Sequence, residues 1–467
     1  MPQNFLACDR DQSLLLPPDL REWLAEDHFA WFVIEAVEAL DLTDFFADYR
    51  DDGHGRAAHD PQMMVALTLY AYATGERSSR MIERRCREDV AFRVIAANRT
   101  PDHATIARFR ARHQEALAAL FGQVLGLCAQ AGLAGTAVLA VDGTKIAADA
   151  SDRQDRTYGQ IAAEILAEAG AVDEAEDEIH GDKRGDELPP ELQTGNGRRA
   201  WIREALRRQE LERQENPEPV PAKRADRLER CRERLVSDWR TELQANRDYK
   251  AYRARGIDAR GGKLGKPPKP HTPAPAPEGK INLTDPDSRT MKANRGYIHG
   301  YNAQAVANEN QIVVAAEVIT QHSDFQALAP MIESAETELQ KAGTKLEPGI
   351  VLADAGYWQN EGIDRLRAKG MTPLVAADAD SRKEPRPGRR GGPYDFMRRV
   401  LRSEEGAALY SQRQWMIEPV FADIKFNRRS GRFKRRGLGA VRSEWRLLTA
   451  THNLLKLHRH QLAAQPG

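Results

Sequence analysis

Two short apolar runs constrain this chain more than any other feature. Val138 to Val141 ends in Asp142, with Gly143 following at once, and Ile350 to Ala353 ends in Asp354, with Gly356 two residues on. Continuous apolar runs of this length read as strands buried on both faces, the kind from which open α/β sheets are built. An acid and a glycine at the C-terminal end of such a strand set a carboxylate at the sheet rim, where these sheets bind ligands. Either aspartate alone is equally readable as a turn residue. A third acid lies on a helix.

The stretch Tyr410 to Lys425, YSQRQWMIEPVFADIK, supplies it. Ile417, Val420, Phe421 and Ile424 recur at i, i+3, i+4 and i+7, the buried stripe of an amphipathic helix. Glu418 and Lys425 lie two turns apart and share a face beside that stripe. Pro419 suits the first turn of a helix and kinks one that begins much earlier. Taken alone, the pair reads as a surface Glu and a surface Lys. Joined to the two aspartates, Glu418 completes a three-carboxylate set suited to Mg²⁺ or Mn²⁺, with a lysine placed to grip a phosphate.

The rest of the second half supplies the strands that unite these residues. YNAQAVAN and QIVVAAEVI flank Asn308-Glu309-Asn310 as an antiparallel hairpin. FQALAPMIESAETELQKAG and NEGIDRLRAKG read as helices, and MTPLVAA as a last strand. With the strand of Asp142 this predicts five strands, the first three antiparallel and the last two parallel to the first. In that order the strands of Asp142 and Asp354 are neighbours and the Glu418 helix packs across them.

Lys plus Arg equals Asp plus Glu, at 69 each, so net charge does not point to a nucleic-acid partner, but its distribution does. Arg428, Arg429, Arg432, Lys434, Arg435, Arg436, Arg442 and Arg446 follow Lys425, interrupted by Glu444 alone and interleaved with Phe426, Phe433 and Trp445. Such a strip suits an anionic polymer, because phosphate contacts come from Lys and Arg; a solubilising strip is the alternative. Residues 1–130 read as helical, and Asp102 caps a helix bearing Arg108, Arg110 and Arg112. That is the outline of a helix-turn-helix DNA reader, or of an ordinary bundle with solvated arginines. Between 151 and 280 come an acidic stretch, charged helices and a Gly/Pro/Lys-rich segment, read as a helical insertion with a basic tether. Cys8, Cys86, Cys128 and Cys231 are scattered, which excludes a zinc ribbon and a disulfide framework. Without a signal peptide or a membrane-length apolar span, a cytoplasmic protein is expected.

The motifs together resemble the DDE transposases of bacterial insertion sequences, in the insertion-sequence-five superfamily and its eleven-eighty-two branch. That family carries an Asp on the first strand of an RNase H-like sheet, a second Asp after the fourth, and a Glu within Tyr-x2-Arg-x3-Glu-x6-Lys. Tyr410, Glu418 and Lys425 match, whereas Arg413 leaves four residues before Glu418 and Gln414 holds the family's Arg position. On a continuous helix Gln414 faces with Glu418 while Arg413 points aside. PDHATIARFR and RFKRRGLGAVRSEWRLLTATHNLLKLHRH also match, and TDPDSRTMKANRGYIHGYNAQ resembles the segment leading into the second strand. In it, Asp285 and Arg289 suggest a structural salt bridge ahead of a DNA contact. His322 and Asp324, just after the third strand, are near enough for a metal assignment, but a lone His there reads as a hydrogen-bonded turn residue and the DDE set fills the ligand need.

The resemblance implies an α/β RNase H-like catalytic domain, a five-stranded mixed sheet with helices, over residues 131–150 and 281–460. An all-α N-terminal domain (1–130) for DNA binding and dimerisation precedes it, and the helical insertion (151–280) interrupts it. The implied function is a DNA transposase that binds the element's ends, cuts them and joins the 3′ hydroxyls to target DNA. Asp142, Asp354 and Glu418 would hold two Mg²⁺ (or Mn²⁺) ions. Tyr410, Arg413, Lys425, Arg428, Arg429, Arg432, Lys434, Arg435, Arg436, Arg108 and Arg110 would contact double-stranded DNA, terminal inverted repeats and target alike, in a homodimer associated with the nucleoid. A nuclease without strand transfer and a non-catalytic DNA-binding protein are the alternatives.

Overall fold

The computed structural model describes residues 19–47, 49, 58–180, 223–257, 264, 272–293, 296–345, 347, 349–378 and 391–464. Helices α1 (Phe29–Glu38), α2 (Thr43–Phe46), α3 (Pro61–Ala73), α4 (Ser79–Glu88), α5 (Val90–Ile95), α6 (His103–Arg112) and α7 (Gln114–Gln130) come first. Their starts are written in the sequence: Asp60, Asp89 and Asp102 each accept a first-turn backbone N–H. Helix α3 is apolar around its whole circumference and buried.

Then follow β1 (Val138–Ala147), β2 (Asp155–Thr157), α8 (Tyr158–His180), α9 (Arg224–Ala254), β3 (Lys280–Asn282), β4 (Arg289–Ala293), β5 (Gly296–Asn308) and β6 (Val313–Ile319). The chain continues with α10 (Leu328–Lys341), β7 (Ile350–Ala353), α11 (Asn360–Ala368), β8 (Thr372–Val375), α12 (Gly392–Val400), α13 (Glu404–Ala422) and α14 (Leu438–Ala464). The main sheet runs β6-β5-β1-β7-β8. Strand β5 runs antiparallel to both β1 and β6, and β7 and β8 run parallel to β1. All five expected strands are present with the expected directions. A sixth, β4, pairs with the first residues of β5; its RTMKA has too few β-branched or aromatic residues to announce a strand.

One hydrophobic core runs from Ala30 to Leu457. Its keystone is α14, which packs on α3 and α7 on one side and on β6 on the other. Trp445 is fully buried and donates its indole N–H to the Gln304 carbonyl at 2.9 Å. Asn453 exchanges two hydrogen bonds with the backbone of Val313, at 2.9 and 2.8 Å. Residue 130 therefore marks a change from helix to sheet without a break in packing.

Helices α8 and α9 and the two-stranded β2-β3 sheet form a separate small cluster around Ile161, Leu228, Cys231, Leu235, Ile281 and Leu283. The charged stretch RRAWIREALRRQELERQ and most of the Gly/Pro/Lys-rich segment lie outside the described residues. Asp285 does not pair with Arg289. It accepts the Tyr301 hydroxyl at 2.7 Å and the Gly437 N–H at 3.2 Å, and Asp287 accepts the Leu438 N–H at 2.9 Å. The two carboxylates thus cap α14, while Arg289 pairs with Asp238 of α9 at 3.0 Å. Among the described residues, no helix is long and apolar enough to cross a membrane.

Candidate active site

The parallel pairing of β1 and β7 sets Val141 beside Ala353, so Asp142 and Asp354 follow at matched positions. The Asp354 side chain accepts the Gly356 N–H at 2.8 Å and starts the short turn Ala355–Tyr357. Helix α13 crosses β1, β5 and β7, burying Ile417, Val420, Phe421 and Ile424, the last just beyond its end. Tyr410 docks it by donating to the Ala353 carbonyl at 3.3 Å, immediately before Asp354. Glu418 stays exposed on the same helix.

Because α13 begins at Glu404, Pro419 lies inside it and leaves the Trp415 carbonyl without its helical donor. Gln311 Nε2 fills that place at 2.7 Å. Beyond α13 the chain forms a π-helical turn, Asp423–Asn427, which carries Lys425.

Arg413 does not point aside, as helical phase suggested. Its Nη1 lies 2.8 Å from Asp142 Oδ2, in a pair largely shielded from solvent, and its guanidinium stands 6.0 Å from the Tyr410 ring centre. Gln414 is exposed. Helical phase tests facing with Glu418, whereas the long arginine reaches a target on another element. The charges of Asp142, Tyr410, Asp354 and Glu418, in that order, favour the charged form of Arg413 against burial. Burial pushes the Asp142 carboxyl up to about 6; Asp354 and Asp324 push the same way, while Arg413 and the Gly143 N–H hold it down. Burial, and then Lys145, hold the Lys425 ammonium below its ordinary range.

Asp324, set aside as a ligand on the sequence, is drawn into this centre. Its Oδ1 accepts from Asn302 Nδ2 and Gln304 Nε2, each at 2.7 Å, and from Lys145 Nζ at 3.2 Å. The signal for it was present in β5, where Asn302 and Gln304 are polar at i and i+2 in an otherwise apolar buried strand. His322, by contrast, is exposed.

The basic tail divides. Arg428 is buried, with Nη1 donating to the Leu448 carbonyl and Thr451 Oγ1, and Nε 3.0 Å from Asp423. It braces the interior, which corrects the expectation of a DNA contact. Glu444 is buried too and gathers Arg77 and the backbone N–H groups of Lys434 and Arg435. Arg435 donates to Gln114, Arg432 to the Ala148 and Ala150 carbonyls, and Arg436 pairs with Asp149. Arg429 and Lys434 stand exposed. In the N-terminal helices Arg108 is exposed, but Arg110 is tied to Tyr72, the Arg77 carbonyl and Ser79, so it is a brace as well. Spacing along the chain cannot foresee this, because the strip folds back to bridge Ala147 to Arg432.

Among the described residues, no three His, Cys, Asp or Glu side chains are grouped as a ready metal site. The chemistry of the donors nevertheless fits a hard divalent cation. The donors are carboxylate oxygens, the hard ligands such an ion takes, and burial raises the Asp142 carboxyl even with Arg413 beside it.

Two family models match. One, described as a transposase domain (DUF772), covers residues 18–112, and the other, a transposase DDE domain, covers 263–454. No curated protein and no solved structure matches the chain. Asp354 and Glu418 lie within the second match and Asp142 ahead of it. With one match over the N-terminal helices and the other over most of the sheet and the α13 helix, the chain belongs to the insertion-sequence DDE transposases.

Proposed function

We propose that this DNA transposase cuts at the ends of its insertion sequence and joins the freed 3′ hydroxyls to target DNA at one centre built from Asp142, Asp354 and Glu418. These carboxylates would hold two divalent cations, Mg²⁺ or Mn²⁺, which supply Lewis-acid activation of the attacking oxygen and charge relief at the leaving one. Both reactions exchange one oxygen for another at phosphorus, water attacking in the first and the 3′ hydroxyl in the second, so one centre serves both. The supporting observation is the parallel register that sets Asp142 beside Asp354, with α13 docked across by Tyr410 and Arg413.

The chain's own cations divide the remaining work. Lys425, half-buried on the π-helical turn, grips a phosphate near the scissile bond. Arg413, held by Asp142 in the protein alone, turns to the phosphate backbone when DNA arrives. Tyr410 serves as the dock of α13, since its hydroxyl is spent on Ala353. Arg429, Lys434 and Arg108 track the duplex, with Arg432 and Arg436 at the margin, and two copies of the chain hold the paired ends.

The test is cleavage of DNA carrying the inverted repeats that flank the gene. Asp354→Asn is expected to bind this DNA as the parent does and to cut it at least a hundredfold more slowly in Mg²⁺, about 3 kcal/mol in the barrier. Cutting at the parent rate refutes the assignment. Cutting without joined products on a supercoiled target leaves a nuclease instead.

A further inference from the structure

We propose that Asp324 is a fourth carboxylate of the reaction centre, sharing with Asp142 and Asp354 the holding of the divalent cation. The inference rests on the reading of the centre given above.

Asp324 lies in the turn between β6 and α10, and a turn aspartate ordinarily bonds the backbone N–H groups of its own loop. Its carboxylate instead takes side chains from two strands of the sheet: Lys145 of β1, and Asn302 and Gln304 of β5. Both amides are fully buried, and both donate to the same oxygen, Oδ1. A carboxylate held by three donors on one oxygen is fixed in position before any ligand arrives.

The other oxygen, Oδ2, lies toward Asp354. A Cβ built on Gly356 would stand 3.5 Å from Asp324 Oδ2 and 3.0 Å from Asp354 Oδ1, so the two acids approach across a residue without a side chain. Gly143 does the same on the other flank. A Cβ there would clash with Gln304 Nε2 and stand 2.8 Å from both Asn302 Oδ1 and Asp324 Oδ1. The glycines that follow the two DDE aspartates thus both clear room for one further acid. Tyr357 marks the same convergence, for its buried hydroxyl bonds Gln304 and feels Asp324, Asp142 and Asp354 together.

The rival role is purely architectural, an anchor for Lys145 and the two amides. Asp324→Asn separates them, because it keeps the Oδ1 acceptor and removes the charge. Mn²⁺ binding to the DNA-free protein, read by electron paramagnetic resonance of the unbound ion, is expected to weaken about tenfold or more in D324N, the scale found for supporting residues of metal sites. Binding within twofold of the parent, while D142N and D354N weaken it, overturns the role of Asp324 and leaves the centre intact. No weakening in any of the three overturns the centre itself, and this inference with it. Should D324N fail to fold, Lys145→Met gives a result of opposite sign. Removing the cation that competes at Asp324 is expected to tighten Mn²⁺ binding severalfold, and unchanged or weaker binding overturns the proposal.

Discussion

Asp142→Asn is expected to end DNA cleavage and yet to stabilise the metal-free protein. Burial, with Asp354 and Asp324 adding to it, pushes the Asp142 carboxyl from its ordinary 3.8 to about 6. The native state therefore binds this proton more tightly than the unfolded chain does. The stability that the protonated group contributes is complete below the unfolded value and is lost as pH rises through about 6. Above that pH the native state carries the cost of an anion it would rather protonate, roughly 3 kcal/mol at about 1.4 kcal/mol per pH unit. Asparagine keeps only one of the two contacts, because the Gly143 N–H goes to Oδ1 and Arg413 to Oδ2 and an amide nitrogen cannot accept, which takes back about 2 kcal/mol. The net gain is roughly 1 kcal/mol near pH 8 and is lost toward pH 4. Urea unfolding in EDTA at several pH values measures it. A D142N protein less stable than the parent at pH 8, or a gap that fails to close toward pH 4, refutes the reasoning.

Gly143→Ala is expected to cost roughly 1–3 kcal/mol and to lose cleavage, because the added methyl group has no room beside Gln304, Asn302 and Asp324; parental unfolding would show the space to be there. Arg428→Met is expected to lower stability by about 1–3 kcal/mol, since it takes from the buried Leu448 carbonyl and Thr451 their donor and from the half-buried Asp423 its cation. Arg429→Ala, at an exposed position, should leave the unfolding curve unchanged and reduce the salt slope of DNA binding by about one. If the two arginine variants exchange these behaviours, the division of the basic tail is wrong. Gln311→Ala is expected to cost about 0.5–1.5 kcal/mol by removing the solvent-exposed bond that its Nε2 gives the Trp415 carbonyl, and a cost near zero in urea unfolding would mean that the proline kink needs no outside donor.

The sheet was legible because its signals are local and short. Four apolar residues and an acid specify β1 and β7, and the crossover between them has one natural sense, so the adjacency of Asp142 and Asp354 followed from their order. The buried stripe of α13 was equally plain. Side-chain reach was not legible. Helical phase sent Arg413 away from Glu418, yet its partner lies on β1, a relation between elements that no periodicity encodes. The basic tail misled for a related reason: buried Glu444 takes the Lys434 and Arg435 N–H groups, and Asp423, Leu448 and Thr451 hold Arg428 inside, although as letters Arg428 and Arg429 are the same. Asp324 was hidden in a loop, its carboxylate held by side chains of distant strands.

Helix α14, wedged between the N-terminal helices and the sheet, also bears on how such an enzyme can diversify. A recombinant that exchanged only residues up to the start of β1 with a relative would pair foreign α3 and α7 faces with a native α14, leaving mismatched apolar surfaces along its length. The N-terminal helices and the sheet are therefore expected to be inherited together, with new properties gained by point changes on exposed faces rather than by shuffling whole modules.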